Sequence, residues 1–442
     1  DRSSKFNSDN GTLIFPSGSV AWRFSKEKFM EKANWLTDGK IRLGYGSVGN
    51  NRIGNLLYQQ LYGVTGQYAF NHSILPGFAP ISSNPDLRWE KNTSTNLGLD
   101  LSMFSNKVQL TVDVYKNKAN DLLLSVAIPP TTGYTTQLQN IGATSNRGIE
   151  IQLGATPIQK KNFSWNSNFN IAFNKNKVES LGGIQSQTRN SGWQGSDGVD
   201  DYIVQVGQPV GLMYGFVTDG FYKIDEFDYN TTTSVYTIKP GIAANGVYGA
   251  PQPGSLKWKD LNGDGVITAD SDRQIIGNAN PKFTGGWSNQ LTYKSFDLSV
   301  FVNFVVGNDI YNANKLEWTD GAFPNLNTLE IVKNRFTYIN SAGVRVTDPI
   351  ELEKMNANAE IWTPVRVQRW WLHSWAIEDG SYLRFNNITL GYTLPKNVLD
   401  KLKIANFRIF GTVNNLATIS NYSGYDPDVT ARRSDPLTPG VD

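Results

Sequence analysis

The 442-residue chain contains no cysteine and only two histidines, His72 and His373. Without cysteine, a disulfide framework, a thiol nucleophile and a cysteine-based zinc site are excluded. Two histidines so far apart in sequence do not form a histidine-rich metal centre, and neither lies in a recognisable catalytic pattern. We therefore predict no catalytic residues and no enzymatic activity.

Charge and long hydrophobic runs are also scarce. Charged residues make up 18% of the chain, whereas about 25% is typical of globular proteins. The balance of 41 Lys and Arg against 39 Asp and Glu leaves a net charge of +2, which is too small to attract nucleic acid. No apolar run approaches the roughly 18 residues of a membrane-spanning helix. A β-barrel survives these exclusions, because its lipid-facing side chains alternate with polar ones.

The strongest pattern that is present has a period of two residues. Leu97, Leu99, Leu101 and Met103 alternate with polar residues, and after a short break the alternation resumes with Val108, Leu110, Val112 and Val114. Similar hairpins recur along the chain and predict about ten strands of about 9–13 residues, long enough to cross a bilayer when tilted. The alternation places three tryptophans on the lipid-facing side: Trp22, Trp165 and Trp287.

The connections between these predicted strands alternate in length. Short turns occur at one end, and long connections at the other end cover residues 50–87, 122–140, 179–280 and 306–380. A soluble sandwich, the alternative, has strands of about 5–6 residues and rarely has such long connections. We therefore predict an all-β fold, a transmembrane antiparallel β-barrel with short periplasmic turns and long extracellular loops. The polar face would line a lumen that is wet or plugged by polar protein.

Several segments resemble the SusC/RagA family of TonB-dependent outer-membrane transporters of Bacteroidetes-type bacteria. They occur in the family's order from about residue 5 onward, and include residues 15–24, 41–50, 84–90, 139–150, 377–384 and 390–395. The resemblance implies an about 22-stranded barrel, of which residues 1–442 would be the C-terminal portion. The plug domain and the final strand would lie outside this chain. An independent ten-stranded barrel is the alternative.

The resemblance also implies a function and partners. The intact protein would import oligosaccharides or peptides through the outer membrane with a SusD-like surface lipoprotein, and TonB–ExbB–ExbD would supply energy through the plug region. This chain would then form barrel wall, in contact with outer-membrane lipid, and extracellular loops. Two other classes remain open: a structural or adhesion β-protein of the cell surface, and a passive porin.

One long connection contains a local motif for calcium. Residues 260–265 follow the pattern D-x-[DN]-x-[DN]-G of calcium-binding loops. The predicted ligands of a structural calcium ion are the side chains of Asp260, Asn262 and Asp264, the carbonyl of Val266, and Asp272 near the closing position. The alternative is an ordinary Asn-Gly/Asp-Gly turn that binds nothing.

The long connections are also rich in aromatic residues: Tyr202, Tyr214, Phe216, Phe221 and Tyr222 in one, and Trp318, Phe323, Trp362, Trp370, Trp371 and Trp375 in another. Such residues can stack on sugar rings or contact a lid lipoprotein. They can equally pack among the loops or form an aromatic girdle. The candidate substrate or partner residues are Tyr214, Tyr222, Trp318, Trp370, Trp371 and Trp375.

Overall fold

The computed structural model describes residues 1–193, 195, 198–319, 325, 327–364, 370–428 and 435–442. Its main feature is one antiparallel sheet in which ten strands pair in chain order. They are β1 Ser17–Trp22, β2 Leu36–Asn50, β3 Glu90–Met103, β4 Val108–Ala127, β5 Thr136–Lys160, β6 Phe163–Leu181, β7 Phe283–Tyr293, β8 Phe296–Val306, β9 Tyr382–Thr393 and β10 Arg408–Ser420. In the described part of the chain, no helix is long and apolar enough to cross a membrane.

The register of the sheet separates apolar from polar side chains. One row of paired residues crosses all ten strands and is apolar except at a glycine: Trp22, Ile41, Leu99, Val112, Ile151, Ile171, Gly285, Phe304, Leu383 and Ile419. The adjacent row lies on the opposite face and is mostly polar: Lys40, Asp100, Thr111, Gln152, Asn170, Gly286, Asn303, Arg384 and Thr418. Because side chains alternate along a strand, this register gives the sheet one apolar and one polar face.

The apolar face is open to the surroundings and is not covered by any part of the chain that the structure describes. Leu43 is 52% exposed and Leu97 is 50% exposed, and both lie midway along their strands. A continuous exposed apolar surface of this size is what a lipid-facing barrel wall presents. The three tryptophans predicted for this face lie on it, in register with Ile41, Leu291 and Phe169. The fold is therefore the predicted all-β barrel wall.

The two ends of the sheet differ as expected. The short connections are residues 23–35, 104–107, 161–162, 294–295 and 394–407, and the long ones are residues 51–89, 182–282 and 307–381. The predicted connection at 122–140 is too long, because β4 continues to Ala127 and β5 already begins at Thr136. The predicted length of about 9–13 residues is also too long for β1, which has 6 residues, and too short for β4, β5 and β6, which have 20, 25 and 19. Their outer parts extend beyond the apolar rows, where the alternation that marks a strand in lipid is lost.

The long connections contain their own short elements. A four-stranded sheet joins Arg273–Asn278, Leu212–Phe216, Tyr202–Gln205 and Ser186–Arg189. Strand pairs form between Leu61–Phe70 and Ser73–Ile81, Thr218–Phe221 and Leu256–Trp258, Phe227–Asn230 and Val235–Ile238, Ala244–Asn245 and Val266–Ile267, and Asp309–Tyr311 and Ile377–Asp379. The α-helices are Ala313–Glu317, Pro349–Met355 and, in a short connection, Lys396–Leu402. Short 3-10 helices in the long connections cover Ile224–Glu226, Glu330–Asn334 and Ser374–Ala376, and others elsewhere cover Phe24–Lys26, Lys28–Met30 and Pro130–Thr132.

We call the described parts of residues 182–282, 307–381 and 421–442 the loop assembly. Its segments pack around several buried clusters, and the largest fully buried side chains include Trp258, Tyr202 and Tyr311. Residues 435–442 close one cluster: the Tyr202 hydroxyl donates to the Pro439 carbonyl at 2.7 Å, and Val441 is 1% exposed. Segments far apart in sequence thus form one packed unit at the long-connection end of the sheet.

Candidate functional site: the loop assembly and the polar face

The polar face of the sheet carries paired charges. Arg42 Nε donates to the Asp100 carboxylate at 2.7 Å, and Arg42 Nη2 donates to Asp113 at 3.1 Å. Lys40 Nζ lies 3.1 Å from the same Asp100 carboxylate. These four residues come from β2, β3 and β4, and they meet because the register places them side by side on one face. The charges are satisfied within the wall, which makes the face polar without giving it a strong net field.

Beside this network lies a shallow pocket of about 410 Å³, lined by amide, hydroxyl and carboxylate groups. Its residues are Ser94, Asn96, Tyr115, Asn117, Asn146, Glu150 and Asn174. The Tyr115 hydroxyl donates to Asn174 Oδ1 at 3.1 Å, which links β4 to β6 across the pocket. Such a surface can exchange hydrogen bonds with a polar polymer or with polar protein that fills the lumen. The sequence indicated a polar lumen but did not single out this pocket.

Two of the six aromatic candidates are buried in the loop assembly. Tyr222 is 0% exposed, and its hydroxyl donates to the Ala243 carbonyl at 2.7 Å. Burial is the main cause that raises its pKa to about 12, so the hydroxyl stays protonated. Trp370 is 9% exposed and contacts Trp193, with ring centroids 5.6 Å apart. Packing among loops, the alternative left open by the sequence, describes the geometry of both residues.

The other four aromatic candidates are half-buried and keep part of their surface accessible. Tyr214 and Trp371 flank the Arg273 guanidinium, whose central carbon lies 4.7 Å and 5.2 Å from their ring centroids.

Lys315 Nζ lies 4.3 Å from the Trp375 ring, and Trp318 meets Tyr425 edge to face at 6.0 Å. These rings are held in place by cations and neighbouring rings. Contact of any of the six with substrate or partner stays a prediction, and Phe323 lies outside the described residues.

His373 has a structural role that the sequence did not indicate. Its ring is 3% exposed and lies among the rings of Trp258, Trp362 and Trp375, with centroids 6.0, 5.5 and 6.3 Å away. His373 Nδ1 is 2.7 Å from Thr218 Oγ1, which joins the two long connections. Burial, with a smaller contribution from the charge of Lys315, lowers the pKa of His373 to about 3. The imidazole is therefore a neutral structural element of the loop core.

The calcium motif forms a tight loop closed by its own backbone. The Asp260 carboxylate accepts from Gly263 N at 2.7 Å and Gly265 N at 2.9 Å, and Asp264 accepts from Val266 N at 2.8 Å and Asn262 Nδ2 at 2.8 Å. The two bonds to Asp264, of which the one from the Val266 amide has the larger effect, hold the pKa of this carboxylate below its usual range.

Asp272 plays a different part in the loop. It is buried, and it accepts from Leu261 N at 2.8 Å and Thr268 N at 2.7 Å, so it ties the base of the loop together. Among the described residues, no cluster of three or more His, Asp or Glu side chains could hold a metal. The ligands predicted from the motif are of a different kind, since they combine the carboxylates of Asp260 and Asp264 with the Asn262 side-chain amide and the Val266 carbonyl. Calcium binding stays a prediction.

Comparison with known proteins agrees with this architecture. Residues 1–416 match the family model described as TonB dependent receptor-like, beta-barrel. TonB-dependent receptor P3 of Formosa agariphila is 32% identical over 98% of this chain and 40% of its own length. TonB-dependent receptor SusC of Bacteroides thetaiotaomicron is 30% identical over 97% of this chain and 39% of its own length. The solved structure of the RagAB peptide transporter has a TM-score of 0.74 at 24% identity, covering 100% of this chain and 43% of that chain.

The fold defines the wall of an outer-membrane β-barrel. The chain belongs to the TonB-dependent receptor β-barrel family, and the resemblance to SusC and RagA drawn from the sequence is confirmed. Its location is the outer membrane, with the long connections on the extracellular side. The chain spans about two fifths of the length of the curated relatives it matches.

Proposed function

We propose that this chain forms the wall and the extracellular loops of a TonB-dependent importer of oligosaccharides or peptides. The observation that carries the proposal is the division of the sheet into an exposed apolar face and a polar face that holds paired charges and an amide-lined pocket. A transport barrel needs both surfaces, because one meets lipid and the other meets a polar substrate or plug. Membership of the TonB-dependent receptor family supports import over a purely structural role.

The edges of the sheet indicate how the barrel is completed. β1 pairs only with β2, and β10 pairs only with β9, within the described residues. An open edge in lipid leaves backbone groups without hydrogen-bond partners, which the hydrocarbon region does not tolerate. We therefore propose that further strands pair with β1 and β10 and close the barrel, which the resemblance to SusC and RagA implies has about 22 strands around a plug. In this proposal, residues 1–442 form the C-terminal portion of that barrel, and the plug couples it to TonB–ExbB–ExbD.

The loop assembly is the surface on which a SusD-like lipoprotein would sit. It is packed around its own buried clusters, so it can present a defined surface to a lid. The half-exposed rings of Tyr214, Trp318, Trp371 and Trp375 offer flat contact area to a sugar, a peptide or the lipoprotein. RagAB, whose structure this chain resembles, is a peptide transporter. Oligosaccharides and peptides remain joint candidates for this chain.

The test compares two adjacent positions on β6 in the full-length transporter. Asn174 lines the polar pocket, and Phe173 lies in an apolar row. We expect N174W to reduce uptake of the native substrate at least tenfold, because the ring obstructs the lumen or displaces the plug. The matched F173W variant keeps an aromatic ring toward lipid and should import like the wild type. Equal uptake by both variants contradicts a transport role of the polar face.

A strain without TonB separates the alternative functions. Uptake of labelled oligosaccharide and peptide pools should collapse in that strain and return on complementation. A passive porin would keep importing without TonB. An adhesion protein would show no uptake in either strain. Purification of the native complex under the same conditions should identify the lipoprotein partner, and its absence would contradict the proposed lid.

A further inference from the structure

The outer face of the sheet carries a group of cations directly above the lipid-facing rows. Lys116, Arg147 and Lys175 occupy neighbouring positions on β4, β5 and β6, paired in register as Lys116 with Arg147 and Arg147 with Lys175. Lys118 and Lys177 stand in the next row toward the long connections, on either side of Ser145. We call these five residues the cationic band. All five side chains are exposed.

The band shares its face with the apolar wall and continues it. An apolar row lies two residues from Lys116, Arg147 and Lys175, toward the short connections. It consists of Leu43, Leu97, Val114, Ile149 and Phe173. Since side chains two residues apart point to the same side of a strand, the cations face outward and away from the lumen. The long connections mark the extracellular end, so the band lies where the apolar wall meets the outer leaflet's headgroups.

The cations are poorly neutralised by the protein. Neighbouring strands are about 4.8 Å apart, and like charges placed directly opposite each other destabilise a sheet. Glu179 offsets part of the charge, since it lies 3.2 Å from Lys177 Nζ and also attracts Lys118. Within the described part of the chain, Lys116, Lys118, Arg147 and Lys175 form no salt bridge. Such a row needs an anion from outside the chain.

From this register and its continuity with the lipid-facing rows, we infer that the cationic band binds the phosphate groups of outer-leaflet glycolipid, with the acyl chains lying along the apolar rows below. Phosphate suits the site because Arg and Lys side chains are its usual partners, and a headgroup anchored above acyl chains matches the vertical order of the two surfaces. The inference depends on the outer-membrane location of the family and not on the proposed substrate.

The experiment uses the full-length transporter, transferred into neutral detergent and mixed with defined lipids. Native mass spectrometry would compare binding of diphosphorylated lipid A with the same lipid A after dephosphorylation. Inorganic phosphate alone is the third probe. We expect diphosphorylated lipid A to bind at least tenfold more tightly than the dephosphorylated form. Inorganic phosphate should bind weakly, since it lacks the acyl chains.

The decisive variant is K116Q/R147Q/K175Q. Each cation near an anionic membrane surface contributes about fivefold in affinity, so the variant should bind diphosphorylated lipid A at least tenfold more weakly. The control K107Q/K160Q/K161Q removes three exposed lysines at the opposite end of the same strands and should bind like the wild type. If the triple variant fails to form a heat-modifiable barrel, K116Q/K175Q should show a smaller loss in the same direction.

Three results would overturn the inference. One is equal lipid binding by the triple variant and its control. Another is binding of dephosphorylated lipid A as tight as that of the phosphorylated form. The last is loss of an acidic protein from the native complex of the variant while lipid binding stays unchanged, because the band would then be a protein interface.

Discussion

The sheet and the loop assembly use hydrophobic side chains in opposite ways. On the sheet, Val20 is 70% exposed and Leu390 is 54% exposed, and no described segment of the chain covers the apolar face. In the loop assembly, Trp258 is 1% exposed and stacks on Phe216 with ring centroids 3.9 Å apart. The first arrangement is stable only with lipid as solvent, whereas the second is an ordinary water-excluding core. The chain therefore combines two folding environments in separate regions.

The two regions are therefore stabilised by different interactions. Backbone pairing defines the sheet, and side chains on its apolar face can change while they remain apolar. The loop assembly depends on side-chain contacts between segments far apart in sequence, such as the stacking of Trp258 on Phe216 and the hydrogen bond from the Tyr202 hydroxyl to the Pro439 carbonyl. Substitutions of the same residue type should then have unequal effects in the two regions.

The largest effect is expected from tryptophan removal in the loop core. W258A empties a fully buried site and should destabilise the loop assembly by about 3–5 kcal/mol. The matched variant W287A removes a tryptophan that is 46% exposed on the apolar face, and it should leave the loops unaffected. Hydrogen exchange of the loop peptides in the full-length protein measures both. Similar exchange in the two variants would remove the distinction between the regions.

A charge placed on each face of one strand should give the next largest effect. Ile151 belongs to the apolar row, and Gln152 belongs to the polar row beside it. I151R should destabilise the barrel by about 2–4 kcal/mol in a bilayer, while Q152R should change its stability little. Unfolding of the reconstituted full-length protein in urea provides the measurement. A loss for Q152R as large as for I151R would mean that the faces are assigned incorrectly.

Acid should weaken the loop assembly and spare the sheet. The folded pKa of His373 is about 3, below the ordinary value of about 6.5, so the unfolded loop binds a proton that the folded loop does not. Stability is then complete above pH 6.5 and falls as the pH drops toward 3. At pH 5 the loss is about 2 kcal/mol.

The measurement for His373 is loop hydrogen exchange at pH 5 and pH 7, corrected for the intrinsic rates. H373Q should lower loop stability at both pH values but flatten the pH dependence between them. An unchanged pH dependence in H373Q would assign the acid sensitivity to other groups.

Periodicity was sufficient to predict the sheet because lipid on one face and polar surroundings on the other impose a two-residue pattern. The two-residue pattern correctly predicted that Leu97, Leu99 and Trp287 lie on the apolar face of the sheet. The pattern ends where the strands leave the lipid, so the full lengths of β4, β5 and β6 were missed. The core around His373 left no local signal, because its partners include residues 218 and 258 from another long connection and residue 362, which is eleven positions away on its own connection.

The smallest expected effect concerns the loop at Asp260, where a local motif was visible in the sequence. If calcium binds there, a free concentration about ten times the dissociation constant stabilises the loop by about 1.4 kcal/mol, or roughly tenfold slower proteolysis. D264A removes a carboxylate that organises the loop and should abolish the difference between calcium and EDTA. The control D270A removes an exposed carboxylate outside the motif's ligand positions and should retain that difference. Proteolysis insensitive to calcium in the wild type would identify the loop as an ordinary turn, held by the bonds from Gly263 and Gly265 to Asp260.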